Sequence, residues 1–238
     1  MARHDAFEVS ESFRFIGRTF AEYRRLFGLE RDALAGAAVL DCPGGPSSFT
    51  AVAARVADRT VAVDPVYGTP LADLAPVCRD AVERTVEQLR ASPEQFVWTA
   101  YSDPADRGRY LRAAAERFLA DYTRRPGRYL RAALPALPLA TDSVDLALCG
   151  HLLFLYDDRL DAAFHADALC ELARVARREV RVFPLHALDG DPSALVGPTS
   201  ERLRDRGLAV ERRPVDYEFQ PGATEMLVVS DVAGFAGA

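Results

Sequence analysis

The chain has 238 residues, 49% hydrophobic and 27% charged, with a formal net charge of −6. This is the composition of a soluble globular protein long enough to bury a full core, and its acidity weighs against non-specific nucleic-acid binding. It contains no lysine, which excludes a lysine nucleophile or Schiff base, and its four cysteines form no C-x-x-C pair, so neither a disulfide framework nor a zinc site is indicated.

No signal-peptide pattern is present, and no apolar run reaches the ~20 residues that cross a bilayer. A cytoplasmic protein with no membrane partner is expected. So is one domain over 1–238, with a helical cover at 1–36 and a helical cap inserted at 91–127.

In the first 36 residues Phe13, Ile16, Phe20, Tyr23 and Phe27 recur at alternating three and four, an apolar helical stripe interrupted by Gly17-Arg18. Thr19 with Glu22 makes a capping box and Gly28 suits a helix C-terminus. The spacing predicts a short helix, a kink at Gly17–Arg18, and a second helix over Phe20–Phe27.

Ala37–Asp41 reads as a buried strand. It runs into the turn Cys42-Pro43-Gly44-Gly45-Pro46-Ser47, and Phe49, Val52, Ala53 and Val56 then mark one face of a helix. Strand, glycine turn and helix start together suit the polar parts of a nucleotide-like ligand, although two adjacent glycines also make a plain turn. A second strand, Arg59–Val66, carries Asp64 about twenty residues past the glycines, where such folds bind ribose hydroxyls. An ionised carboxylate is acceptor-only, and two vicinal hydroxyls can donate to it together.

A helix is predicted over Leu71–Arg90. The 91–127 stretch that follows is too long for a structureless loop, and Ala105–Thr123 has a helical pattern. Its aromatic residues either pack the insertion down, or Tyr101, Tyr110 and Tyr122 shape a pocket. A third strand is placed at Arg128–Ala133, followed by the Leu134–Pro138 loop.

Leu137, Pro138, Asp142, Ser143, Asp145 and Leu146 stand in an "LP…D-S-x-D-L" pattern leading into a fourth strand, Val144–Cys149. With the acid-ended strands before it, this segment resembles class I S-adenosylmethionine-dependent methyltransferases of the small-molecule type. The resemblance runs over about Leu34 to Ser230. It departs at the glycine motif, where Pro43 replaces the first glycine and Ser47 the last.

The resemblance implies an α/β, Rossmann-like doubly wound seven-stranded sheet of order 3-2-1-4-5-7-6 with the last strand antiparallel. It also implies S-adenosyl-L-methionine as cofactor. Asp41 would lie under the amino-acid end, Pro43, Gly44 and Gly45 at the turn, Asp64 on the ribose, and Leu134 beside the adenine, with Gly150 at the fourth strand's tip. Related enzymes fold their N-terminal segment over the site. Arg18 would then pair with a carboxylate, and Tyr23 would line the pocket.

His151 follows Gly150 at the carboxyl end of the fourth strand. It is either a base near neutral pH or a hydrogen-bonded wall residue. Tyr23 and Tyr156 are the other candidate bases. Asp158–Arg177 reads as a helix with His165 on its exposed side, then come a fifth strand at Glu179–Pro184, a helix at Ser193–Arg206, and a closing hairpin of Leu208–Val215 and Glu225–Ser230. The hairpin and the Pro43 turn speak against a nicotinamide dehydrogenase. The expected activity is methyl transfer to a small-molecule acceptor by a monomer or homodimer, with no nucleic-acid partner and no metal. Alternatives are aminocarboxypropyl transfer or cyclisation of the cofactor's amino-acid arm, releasing methylthioadenosine, and a non-catalytic binding module.

Overall fold

A computed structural model describes residues 13–231; positions 1–12 of the expected N-terminal cover lie outside the described residues. The strands are β1 (Ala38–Asp41), β2 (Arg59–Val63), β3 (Tyr129–Leu130), β4 (Val144–Gly150), β5 (Ala176–Phe183), β6 (Leu208–Pro214) and β7 (Glu225–Asp231). They form one sheet of order β3-β2-β1-β4-β5-β7-β6. Pairings are parallel from β3 to β5, while β7 is antiparallel to both β5 and β6. This is the order that the resemblance implied.

The apolar runs are continuous because both faces of the sheet are covered. Side chains alternate between two cores. Ala38 and Leu40 of β1, with Ala147 and Cys149 of β4, face a core closed by α6 (Ala162–Val175) and α7 (Val196–Asp205). Val39 of β1, with Leu146 and Leu148 of β4, faces the opposite core. There the cover comes from α1 (Phe20–Leu26), α2 (Arg31–Leu34), α3 (Phe49–Ala53) and Leu89 of α4 (Leu71–Ala91). In that second core Tyr23 stacks on Phe49 with ring centroids 4.7 Å apart, a contact worth about 0.5–1.5 kcal/mol beyond its buried area.

The insertion folds as expected into a long helix, α5 (Pro104–Arg124), which packs along α4. Its Phe118 reaches Tyr67 and Tyr129 and holds it over the β3 edge. Three expectations need correction. Residues 13–19 form no helix before the kink. They run as a strap whose apolar residues serve different partners: Phe13 packs on Tyr156, Phe15 on Phe118, and Ile16 against Val82, Val86 and Leu111, so the three-residue step from Phe13 to Ile16 only imitates a helical stripe. β3 keeps only Tyr129–Leu130 of the expected Arg128–Ala133: a 3-10 turn at Pro126–Arg128 takes its first residue, and the chain leaves β2 after Leu130, with Ala133 bridging to Ala136 instead. His165 is fully buried, not exposed; its Nε2 accepts the Phe154 N–H at 2.9 Å. The capping box of Thr19 and Glu22 is present, as read from the sequence.

Candidate active site

Sheet register assembles the site. Asp41 is level with Ala62 of β2 and with Leu148 of β4. The residues two further along those strands, Asp64 and Gly150, therefore flank the turn that begins at Cys42. Gly150 is paired with Phe183 of β5, whose carbonyl accepts the His151 N–H at 2.7 Å.

The turn is folded back onto β2. Gly44 N–H donates to Val63 O at 2.9 Å, and Gly45 N–H donates to Asp64 Oδ2 at 3.1 Å. The buried Tyr67 hydroxyl closes it from below, donating to Gly45 O at 2.7 Å. A β-carbon at position 44 would stand 2.5 Å from the Tyr67 oxygen, and Gly45 has φ of +51°, where other residues are strained. Both glycines are thus required by the turn itself, Gly44 for packing and Gly45 for backbone conformation. Asp64 Oδ1 accepts the Val66 N–H at 3.0 Å, so each carboxylate oxygen already holds one backbone amide. Burial raises the carboxyl's pKa, and those two amides pull it back towards ionisation.

The strap crosses this turn. A β-carbon at position 17 would lie 2.0 Å from the Pro46 carbonyl oxygen, so only glycine allows the crossing. The next residue's carbonyl, Arg18 O, accepts both Ser48 N–H and Ser47 Oγ–H at 3.0 Å. The Arg18 side chain turns inward. Its Nε is buried, and its guanidinium makes no hydrogen bond or ion pair among the described residues.

Together these elements line a cavity of about 1120 Å³. Arg18 and Tyr23 reach it from the N-terminal segment, and Pro43, Gly44, Gly45 and Asp64 from the strand tips. Leu134, Gly150, His151 and Tyr156 complete the predicted set. Asp41 is the exception: it is buried behind the wall, where its Oδ1 accepts the Tyr23 hydroxyl at 3.0 Å and its Oδ2 has no partner. Desolvation pushes the Asp41 carboxyl well above the usual carboxylate range, and burial beside it pushes the Tyr23 phenol up as well. Tyr23 is consequently committed as a donor.

His151 holds a left-handed backbone conformation, φ +57°, an uncommon one for a non-glycine residue and of the sort found at functional positions. Burial, with Arg18 and Arg107 nearby, holds its imidazole well below the ordinary histidine pKa, so it is neutral at pH 7. The Tyr156 hydroxyl accepts the Arg14 N–H at 2.9 Å.

Several wall residues were not foreseen. Phe96 and Arg107 of the insertion and Tyr217 and Phe219 of the β6–β7 loop face the cavity. Tyr101, Tyr110 and Tyr122 do not. Tyr101 is buried against Glu22, Tyr110 is exposed, and Tyr122 braces the Gly68–Thr69 turn. Neither a patterned arginine on a helix nor a loop phenylalanine gave a sequence signal for this wall. Among the described residues no group of His, Cys, Asp and Glu is arranged to hold a metal ion, and no helix is long and apolar enough to cross a membrane.

No family model matches the chain. It is 27% identical over 215 residues to an uncharacterized protein of Methanocaldococcus jannaschii, covering 90% of this chain and 94% of that one. Among solved structures it is similar to a SAM-dependent methyltransferase from Aquifex aeolicus (14% identity, 87% and 92% of the two chains, TM-score 0.42). It is also similar to the 1,6-didemethyltoxoflavin-N1-methyltransferase of Burkholderia thailandensis (15% identity, 84% and 74%, TM-score 0.42). A third is the N-methyltransferase NodS of Bradyrhizobium japonicum (13% identity, 88% and 94%, TM-score 0.42). At these identities and scores the likeness decides nothing about the site, which rests on this chain's own residues.

Proposed function

We propose that the protein binds S-adenosylmethionine and transfers its methyl group to a small-molecule acceptor. The observation that carries this reading is the pairing of Gly45 N–H with Asp64 Oδ2 at the rim of a deep cavity. It fixes a carboxylate beside a glycine turn, at the strand tips where a parallel sheet takes its ligand.

Two further features fit the cofactor. Each Asp64 oxygen holds a single amide and keeps acceptor capacity for a ribose hydroxyl. Arg18 presents a guanidinium with no carboxylate partner, matched to that of the methionine end. The cavity, at about 1120 Å³, slightly exceeds the ~300–1,000 Å³ usual for one small ligand and accommodates an acceptor beside the cofactor.

The bound cofactor supplies an electrophilic methyl group on a sulfonium. The residues of this chain bind and orient. Asp64 holds the ribose, Gly44 and Gly45 shape the turn beneath, Leu134 borders the adenine, and Gly150 leaves room at the tip of β4. Alignment of nucleophile with methyl provides much of the rate in such a displacement. Where the acceptor must lose a proton, His151 is the candidate base by its position in the cavity wall beyond β4; the burial and cations that hold it neutral also weaken it as a proton acceptor. Tyr156 stands second. Tyr23 positions Asp41 through its hydroxyl.

Calorimetric titration with S-adenosylmethionine, S-adenosylhomocysteine, methylthioadenosine and NAD tests the reading. Saturable binding of the first two is expected. Conversion of the first to methylthioadenosine would replace methyl transfer by attack on the amino-acid arm, and binding of none would leave a partner-binding module.

A further inference from the structure

The insertion delivers one buried charge to the cavity wall, Arg107 of α5, which is 3% exposed. Its guanidinium lies 4.1 Å from the Phe219 ring centre and 4.7 Å from that of Tyr101. Phe219 is itself stacked on Phe96 at 4.8 Å. The surroundings are apolar and aromatic, an uncommon place for a cation without a full set of acceptors.

The one carboxylate beside it is Glu22, which accepts from Arg107 Nη1 at 3.3 Å. Glu22 is already divided among other donors. Its Oε1 also takes the Tyr101 hydroxyl, and its Oε2 takes Thr19 N–H at 2.8 Å and Thr19 Oγ1–H at 2.9 Å. Arg107 Nε is buried with no partner. Arg18, which faces the same cavity, makes no ion pair among the described residues and feels Glu22 only through space. If Arg18 serves the cofactor's carboxylate, the cofactor's sulfonium and ammonium still bring a net positive charge. Asp64, Glu94, Asp189 and Asp191 line other parts of the cavity, so the demand for an anion is local to Arg107, whose Nε has no partner and whose one carboxylate is shared.

We propose that the acceptor is a flat, largely apolar molecule bearing a carboxylate, and that Arg107 with the Phe96–Phe219 pair is its binding subsite. This rests on the cofactor reading above. A carboxylate brings one negative charge and two oxygens that match a planar guanidinium. A phosphomonoester would bring nearly two charges to one available guanidinium in apolar surroundings. The subsite is built from the insertion and the β6–β7 loop, joined by Val97 N–H donating to Phe219 O at 2.9 Å. Neither belongs to the strand–turn–helix unit assigned to the cofactor.

The test uses the full chain saturated with S-adenosylhomocysteine and titrated with benzoate, cinnamate and indole-3-acetate, each against its primary amide. At least one acid is expected to bind tenfold or more tighter than its amide. Arg107→Met should abolish that preference while changing S-adenosylhomocysteine affinity less than twofold. The paired variant Glu22→Gln/Arg107→Met, which leaves no unpaired buried carboxylate, should behave alike. Glu22→Gln alone should tighten acid binding several-fold, because Arg107 loses its internal competitor. The proposal is overturned if no acid is preferred, if the preference survives Arg107→Met, or if that variant loses S-adenosylhomocysteine affinity in step with the acid. Should the wild type fail to bind S-adenosylhomocysteine yet show an acid preference that tracks Arg107, the cofactor reading falls and the anion subsite stands.

Discussion

The two walls of the cavity are held in different ways. The strand-tip wall is fixed mainly by backbone: Gly44 N–H to Val63 O and His151 N–H to Phe183 O follow from sheet register, and one side chain, Asp64, takes the Gly45 and Val66 amides. The opposite wall is assembled from segments far apart in the chain and held by side chains, with Glu22 of α1 joined to Tyr101 and Arg107 of the insertion. Backbone pairing is indifferent to most substitutions, whereas a side-chain junction depends on each member. The strand-tip wall should therefore tolerate change everywhere but at its glycines and Asp64, whereas the opposite wall should lose its shape when any member of the Glu22–Tyr101–Arg107 junction is removed.

The sharpest way to break this division is Asp64→Ala. It removes both proposed ribose bonds as well as the acceptor for Gly45 and Val66, and cofactor affinity by calorimetry should fall about a hundredfold or more, from charge-assisted bonds worth ~1.5–3 kcal/mol each. An unchanged Kd would take the ribose away from this wall. His151→Ala should lower turnover about a hundredfold on an acceptor that must lose a proton, with cofactor affinity nearly intact; full activity would reduce His151 to a wall residue.

Gly17→Val attacks the seam between the walls. The β-carbon clash with Pro46 should cost about 1–3 kcal/mol in urea unfolding, as overpacking does, and lift the strap. A variant as stable as wild type would show that the strap does not rest on the turn. Charge coupling across the cavity is read from the His151 ring by NMR titration. Arg18 is one of the cations holding that imidazole neutral, so Arg18→Met should move its titration upward, towards 6.5.

The smallest effect belongs to Asp41→Asn, read as stability against pH. The folded carboxyl is raised above its unfolded value near 3.8, so wild type loses stability as pH climbs from about 4 towards the folded pKa. Asparagine keeps the acceptor for Tyr23 and carries no such penalty. The variant should match or exceed wild type, by more at higher pH; a variant weaker at pH 8 than at pH 5, relative to wild type, would mean the carboxylate is ionised and needed.

The strand-tip wall was readable because each of its parts leaves a local mark. An apolar run of four or five, a glycine pair and an acid at the end of the next run all sit within Ala38–Asp64. Strand order came from the family resemblance, with which the spacing of the closing hairpin agrees. The opposite wall left weaker marks. Arg107 is one of several arginines spaced along a helix, and nothing local separates the buried one from those in solvent; its burial is decided by Phe219, over a hundred residues away. His165 misled for the same reason. Phe13 and Ile16 could continue the stripe of α1, and the extended course of the strap is dictated by contact with Pro46, which the spacing of apolar residues does not encode.

The seating of residue 17 on the turn also bears on the order in which the walls form. Arg18 O and Ser47 are separated by 29 positions, whereas Glu22 and Arg107 are separated by 85. Closing the longer loop costs about 1 kcal/mol more in chain entropy, and its contacts reward that cost only once α5 exists. The strap and the glycine turn therefore form a more local unit, whose contacts are completed within α1, β1 and β2 as far as Tyr67. The wall built on Glu22 and Arg107 condenses onto it afterwards, so the part of the cavity held by side chains is also the last to fold.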